Sequence, residues 1–148
     1  MKAMRIFGIG SPFGDDQVGW RVVEWLQNQK SLQKNWHLEC CDRPGLNLLN
    51  LIQDATVAIL IDAVQSGAPL GTIHVWNNDI THYETDQLST HGFGLSDALQ
   101  LGKTLDCLPN TLIIYGIEIN QLNNETLSES AENAAKKLTS RIRKEIKF

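Results

Sequence analysis

The stretch MRIFGIGSPFGDD, residues 4–16, decides the fold. Its apolar run from Met4 to Ile9 predicts a short strand, and the glycines that follow predict a tight turn. From Asp16 the apolar residues recur at spacings of three and four, which predicts an amphipathic helix to about Gln29. A strand that passes through a glycine turn into a helix is typical of the first unit of an α/β protein.

The rest of the chain continues this alternation of strands and helices. Further strands are predicted at His37–Cys41, Thr56–Ile61, Thr72–Trp76 and Thr111–Ile117, and further helices at Leu46–Ile52, Gly94–Leu105 and from the capping box Thr126–Glu129 to about Lys147. The third and fourth strands are too close in sequence for a helical crossover, so they are free to pair as an antiparallel hairpin. The sequence therefore predicts one α/β domain over residues 1–148, a three-layer sandwich with a mostly parallel, mixed sheet of five strands and helices on both faces.

Composition excludes several classes of function. The 148 residues, 42% of them apolar, suit a single hydrophobic core, and a net charge of −4 predicts no nucleic-acid partner. No apolar run approaches the roughly 18 residues that span a bilayer, and the first residues lack a signal-peptide core, so we expect a cytoplasmic protein with no membrane partner. The cysteines Cys40, Cys41 and Cys107 include no CxxC pair and are interpreted as buried, reduced thiols.

Ionisable residues follow the predicted strands at the points where those strands end. Asp16 follows the first glycine turn, Asp42 follows the second strand and Asp62 ends the third, while His91 precedes a later helix. Because the carboxyl ends of parallel strands meet at one edge of a sheet, these side chains are expected to converge there. Two carboxylates and an imidazole suit nickel, zinc or a similar divalent ion, and they leave coordination positions open.

Each of these residues also has a purely structural interpretation. Asp15 suits the N-cap of the first helix, and Asp16 suits the positive end of the helix dipole. His91 could cap a loop, whereas a carboxylate at the end of an apolar strand, such as Asp62, costs stability unless it is paired or ligated. Dinucleotide binding is a further alternative, but the glycine spacing departs from G-x-G-x-x-G and two carboxylates stand where a phosphate would bind.

Three motifs carry a family resemblance that covers residues 6–119. They are GIGSPFGDDQVG at Gly8–Gly19, LIDA at Leu60–Ala63 and STHGFGL at Ser89–Leu95, with similar strand segments at Gly71–Ile73 and Ile114–Ile117. In order and spacing they resemble the endopeptidases that mature the large subunit of nickel–iron hydrogenases. Two positions depart from the family: Ser11 stands where Asn is usual, and Asp42-Arg43-Pro44-Gly45 stands where an Asp-Gly-Gly type of turn is frequent.

The resemblance implies a twisted five-stranded sheet and an endopeptidase that removes a C-terminal extension from the hydrogenase large-subunit precursor after nickel insertion. It makes Asp16, Asp62 and His91 the metal ligands and catalytic candidates, with Asp42 as an additional catalytic candidate. The nickel is expected to arrive with the precursor, and no organic cofactor is expected. Either the metal polarises the scissile carbonyl or a carboxylate activates water. Two other functions stay open: a maturation chaperone that binds without cutting, and a nucleotide-binding module.

Overall fold

Five strands and four helices make up the described part of the chain, which in this computed structural model is residues 4–28, 36–78, 95–120 and 126–145. In chain order they are β1 (Met4–Gly10), α1 (Val18–Gln27), β2 (Trp36–Asp42), α2 (Asn47–Ile52), β3 (Val57–Val64), β4 (Ile73–Asn77), α3 (Leu95–Thr104), β5 (Thr111–Glu118) and α4 (Glu129–Glu145). None of the helices in these ranges is long and apolar enough to cross a membrane.

The strands form one mixed sheet in the order β2–β1–β3–β5–β4. The first four strands in this order run parallel, and β4 is antiparallel to its neighbour β5. The predicted fold class is therefore confirmed, but the predicted hairpin between the third and fourth strands is wrong. The connection after β3 crosses the end of β5, where Gly71 N donates to Glu118 O at 2.9 Å. The strand β5 is buried along most of its length and takes the inner position, whereas the more exposed β4 takes the edge.

Helices cover both faces of the sheet. The face that carries Phe7 and Leu60 packs against α2 and α3, and the face that carries Ile59 and Ile61 packs against α1 and α4. Successive residues of β3 are thus buried on opposite faces, as expected of a continuous apolar run in a central parallel strand. The amphipathic pattern predicted for α1 is also present, because its fully buried residues recur at helical spacing: Val18, Val22, Val23 and Leu26.

The helix ends differ from the sequence prediction. A 3₁₀ turn at Gly14–Gln17 precedes α1, and neither this turn nor α1 has a side-chain N-cap. The predicted capping role of Asp15 in the first helix is wrong, since its carboxylate accepts hydrogen bonds from Ser128 N at 2.6 Å and Ser128 Oγ at 2.7 Å. Ser128 itself caps α4 by accepting a hydrogen bond from Ala131 N at 3.2 Å. The N-cap therefore lies two residues after the predicted one at Thr126, and the reciprocal bond of a capping box is missing because Ala131 stands at the third helical position.

Two glycines let α1 lie directly on the carboxyl ends of the central strands. A Cβ at Gly19 would overlap the carbonyl oxygen of Ile61 and lie 2.8 Å from that of Ile9. A Cβ at Gly10 would overlap the carbonyl oxygen of Asp16. Only glycine permits these approaches, and they place the turn that carries Asp16 beside the ends of β1 and β3.

The cysteines are free thiols, as predicted, but they are not all buried. Cys41 is buried, Cys107 is half-buried and Cys40 is exposed. Because Cys40 and Cys41 are neighbours in a strand, they point to opposite faces of the sheet at its β2 edge, where one of the two faces solvent.

Candidate functional site

The structure brings Asp16 and Asp62 together at the carboxyl edge of the sheet. Asp16 lies in the turn after β1, and Asp62 lies near the end of the adjacent parallel strand β3. The two carboxyl groups are close enough for the charge of Asp16 to raise the pKa of Asp62. The convergence that strand-end reasoning predicted for these two residues is therefore present.

Burial and charge make the Asp62 carboxyl hard to ionise. Burial is the larger cause and the charge of Asp16 the smaller, and together they raise the pKa of Asp62 to about 8 from an ordinary value of 3.8. The hydrogen bond from Ala63 N to Asp62 Oδ1, at 2.8 Å, acts in the opposite direction but does not compensate. A cation between the two carboxyl groups would remove the repulsion and favour the ionised form.

Asp16 is held in place by Ser11. Ser11 Oγ donates to Asp16 Oδ2 at 2.5 Å, and Ser11 N donates to the Asp16 carbonyl at 3.3 Å. Ser11 is only 3% exposed, so this contact is shielded from solvent. The sequence marked Ser11 only as a departure from the family pattern. Neither the burial of this hydroxyl nor its bond to Asp16 can be read from the sequence, so this role of Ser11 was not predicted.

A further predicted site residue, Asp42, is paired with an arginine at the end of the neighbouring strand β2. Asp42 ends β2 and is half-exposed, and its carboxylate forms an ion pair with Arg43 Nε at 2.7 Å. His91 lies outside the described residues, so its place in the site stays a prediction. Within the described ranges, no group of three His, Cys, Asp or Glu side chains could hold a metal ion.

The acidic pair has the donor chemistry of part of a metal site. Asp16 and Asp62 each use one carboxyl oxygen in the hydrogen bonds given above, so each has a second oxygen that can serve as a ligand. Two carboxylate oxygens fit a divalent cation, but they need further ligands to complete its coordination. The donors present therefore fit a metal ion that brings other ligands with it.

A buried carboxylate, Glu118, lies at the same edge. It is 2% exposed, and its oxygens accept hydrogen bonds from Ser66 N at 2.8 Å, Ser66 Oγ at 2.6 Å and Gly67 N at 3.3 Å, with His74 Nε2 at 3.0 Å. Burial acts to raise the pKa of Glu118, but the bonds from Ser66, His74 and Gly67 outweigh it and lower the pKa. Sequence reasoning missed this residue, although Glu118 directly follows an apolar strand just as Asp62 ends one.

Together, the fold and the site define an α/β protein with an acidic pair at the carboxyl edge of a mixed, mostly parallel sheet. A family model described as hydrogenase maturation protease matches residues 20–145. The chain belongs to this family. The matched range includes Asp62 and His91, and it begins just after the glycine turn and Asp16.

Individual relatives agree with this assignment. The chain is 28% identical over 122 residues to hydrogenase expression/formation protein HupD of Thiocapsa roseopersicina, covering 80% of this chain and 55% of that protein. It is 27% identical over 122 residues to hydrogenase expression/formation protein HoxM of Azotobacter vinelandii, covering 80% of this chain and 59% of that protein. The chain thus spans little more than half the length of these curated relatives.

Solved structures share the fold. The hydrogenase maturating endopeptidase HybD from E. coli superposes with a TM-score of 0.78 at 22% identity, covering 98% of this chain and 94% of that chain. The [NiFe] hydrogenase maturation protease HybD from Thermococcus kodakarensis gives a TM-score of 0.76 at 20% identity, covering 99% and 100%. The predicted fold class is confirmed by these superpositions as well as by the sheet itself.

Proposed function

We propose that this chain is an endopeptidase that removes the C-terminal extension of a nickel–iron hydrogenase large-subunit precursor after nickel has been inserted. The observation that supports this function is the Asp16–Asp62 pair, held at the carboxyl edge of the sheet in a member of the hydrogenase maturation protease family. Such a pair offers few ligands of its own, which suits a nickel ion that the precursor already holds.

In this proposal the chain recognises the nickel through Asp16 and Asp62, with His91 as the third predicted ligand. Ser11 fixes Asp16 and the Ala63 N–H fixes Asp62, so that one oxygen of each carboxylate is oriented without further rearrangement. The scissile peptide is thereby placed against the site for attack by water. The bound metal supplies charge that can polarise the peptide carbonyl, and a carboxyl oxygen not engaged with metal can take the proton from water.

We place this reaction in the cytoplasm. Three free thiols are consistent with a reducing compartment. The turn after β1 argues against the nucleotide-binding alternative. It leads into a 3₁₀ helix with Asp15 and Asp16 in its first turn, and these carboxylates would repel a phosphate.

The test is to incubate the purified protein with nickel-loaded and nickel-free precursor and to follow cleavage by mass. We expect cleavage of the loaded form only. Substitution of Asp16, Asp62 or His91 by Ala should leave a folded protein whose cleavage rate falls about 100-fold or more. Asp54→Ala is the matched control, because Asp54 is an exposed carboxylate that precedes β3 and lies at the opposite end of that strand.

The alternatives give different results in the same assay. Binding of the loaded precursor without cleavage would indicate the maturation chaperone. No interaction with either form, together with a thermal shift on adding nucleotide, would indicate the nucleotide-binding module. Full processing by the His91→Ala variant would remove His91 from the ligand set, and cleavage of the nickel-free precursor would contradict nickel recognition.

A further inference from the structure

Arg43 occupies a backbone conformation that arginine rarely adopts. Its φ is 42°, and the other non-glycine residues with positive φ in the described ranges are Asn78 and Asp106. Asn and Asp tolerate the left-handed region because their short polar side chains can hydrogen-bond locally, whereas Arg has no such compensation. The same loop uses a glycine for this purpose two residues later, at Gly45 with φ 55°. A long cationic side chain is thus kept where glycine would be unstrained.

The strained residue lies beside the acidic pair. Arg43 follows the last residue of β2, and its backbone N donates to Gly10 O at 2.9 Å, which joins its loop to the glycine turn after β1. The hydrogen bond and charge of Asp42 raise the pKa of the Arg43 guanidinium, and the charge of Asp16 contributes in the same direction. The guanidinium is therefore within electrostatic reach of Asp16.

An exposed aromatic ring lies against this guanidinium. Phe13 is 66% exposed, the largest exposed fraction among the exposed large apolar side chains of the described residues. The Arg43 guanidinium carbon is 5.8 Å from the centre of the Phe13 ring, a distance at which cation–π attraction acts. The backbone of Phe13 is part of the site turn, since its carbonyl accepts a hydrogen bond from Asp16 N at 3.0 Å. The Phe13 ring is therefore exposed to solvent, three residues before the proposed metal ligand Asp16.

We propose that Phe13 and Arg43 contact the substrate, with Phe13 receiving an apolar side chain of the precursor segment beside the scissile bond and Arg43 binding an oxygen of the same segment. This inference rests on the proposed function. The exposed Phe13 ring belongs to the same turn as Asp16, so residues of a precursor whose nickel lies at Asp16 and Asp62 come within its reach. The ion pair with Asp42 uses Arg43 Nε, so the terminal guanidinium nitrogens are donors that a peptide oxygen can bind.

Substitution of Arg43 should have different effects on the stability of the protein and on its binding of the precursor. Strain at Arg43 is costly to the folded state, so a residue that accepts positive φ should keep or raise stability while losing the contact to substrate. A substitution that weakens an active site through misfolding lowers the stability of the protein as well. This contrast distinguishes a substrate contact from a structural role.

The experiment compares Arg43→Gly, Arg43→Asn and Phe13→Ala with the wild-type protein, using nickel-loaded precursor. We expect KM and the Kd for precursor to rise by about tenfold in each variant with kcat changed much less, because the lost contact serves binding. The Tm of the two Arg43 variants should be unchanged or raised by roughly 2–4 °C. Arg43→Asn controls for backbone flexibility, since Asn accepts positive φ without the freedom of glycine.

Asp106→Gly is the matched control, because Asp106 is an exposed residue with φ 53° in the turn that ends α3. It should change Tm in the same range and leave KM at the wild-type value. Unchanged KM and Kd in both Arg43 variants and in Phe13→Ala, with a wild-type protein that cleaves, would overturn the inference and leave the proposed function standing. Absence of cleavage by the wild type would contradict the proposed function instead, and the Kd values for precursor would still decide whether Phe13 and Arg43 bind it.

Discussion

At the scale of single residues, Asp62 keeps a proton that an exposed aspartate would lose. Its pKa is raised to about 8 by burial and by the charge of Asp16, whereas its ordinary value is 3.8. Between these two values the folded protein binds a proton that the unfolded chain does not bind. Stability contributed by this group is therefore fully present below the lower value and is lost as the pH rises towards the higher one.

Replacement of Asp62 by Asn should stabilise the protein at neutral pH in the absence of metal. The amide has the size and the acceptor oxygen of the carboxyl group but needs no proton, so we expect a gain of about 2–4 kcal/mol at pH 7. Urea unfolding of the variant and the wild type between pH 5 and pH 9 measures this gain in free energy of unfolding. The difference between the variant and the wild type should grow with pH and level off above about pH 8. A difference that stays constant over this range would contradict the raised pKa.

Strand-end reasoning predicted the approach of Asp16 to Asp62, because the signal for each residue is local in the sequence. Asp16 and Asp62 follow apolar strands in the sequence, and the structure brings them together. The contacts of Ser11 with Asp16 and of Arg43 with Phe13 were not predicted, because residue spacing does not show which side chains of a loop meet. The identity of the metal and that of the substrate were predicted from the family resemblance, because two carboxylates alone suit several divalent ions.

At the scale of the elements, the contact between α1 and the sheet depends on the absence of a side chain at Gly19. The backbone of this residue lies against the carbonyl groups of Ile9 and Ile61, at the ends of two neighbouring strands. These groups belong to the rigid centre of the sheet and cannot move aside as the tip of a flexible side chain would. The helix and the turn before it therefore share one fixed position over the strand ends.

Gly19→Ala should destabilise the protein and displace the site turn. Alanine gains about 1 kcal/mol over glycine in a helix, but its Cβ would overlap two backbone carbonyl groups, and overpacking costs about 1–3 kcal/mol. Because the overlapped atoms are backbone carbonyl groups, the cost should lie near the upper end of this range and exceed the gain, so both urea stability and precursor cleavage should fall. Glu24→Ala, at an exposed position of the same helix, controls for the added alanine. A more stable Gly19→Ala variant would show that α1 can shift freely.

The elements themselves were predicted better than their arrangement. All five strands were located in the sequence, because each is a short run of strand-forming residues between turn signals. The insertion of β5 between β3 and β4 was not predicted, since it depends on which of two strands buries more surface in the centre of the sheet.

At the scale of the whole molecule, one hydrogen-bonded pair joins the first loop to the last helix. Asp15 and Ser128 are separated by 113 residues in sequence, and the Asp15 carboxylate accepts two hydrogen bonds at the start of α4. A carboxylate at the N-terminus of a helix is favoured both by the free N–H groups and by the helix dipole. The adjacent residue, Asp16, is a proposed metal ligand, so this pair also anchors the site turn.

A double-mutant cycle tests whether this pair acts as a unit. Asp15→Ala and Ser128→Ala should each cost about 1–2 kcal/mol in free energy of unfolding, and the double variant should cost less than their sum by about 0.5 kcal/mol or more. Ser140→Ala is the control, because Ser140 is an exposed serine of the same helix. Strictly additive losses would mean that the two side chains contribute separately, through other contacts.

The separation of Asp15 from Ser128 also has a consequence for protein synthesis. A ribosome that adds 5–20 residues per second needs on the order of 6–23 s to make the 113 residues between them. During that interval the Asp15 carboxylate has no helix to cap, and the turn that carries Asp16 lacks its anchor. The turn that carries Asp16 therefore gains this anchor only after the last helix has left the ribosome.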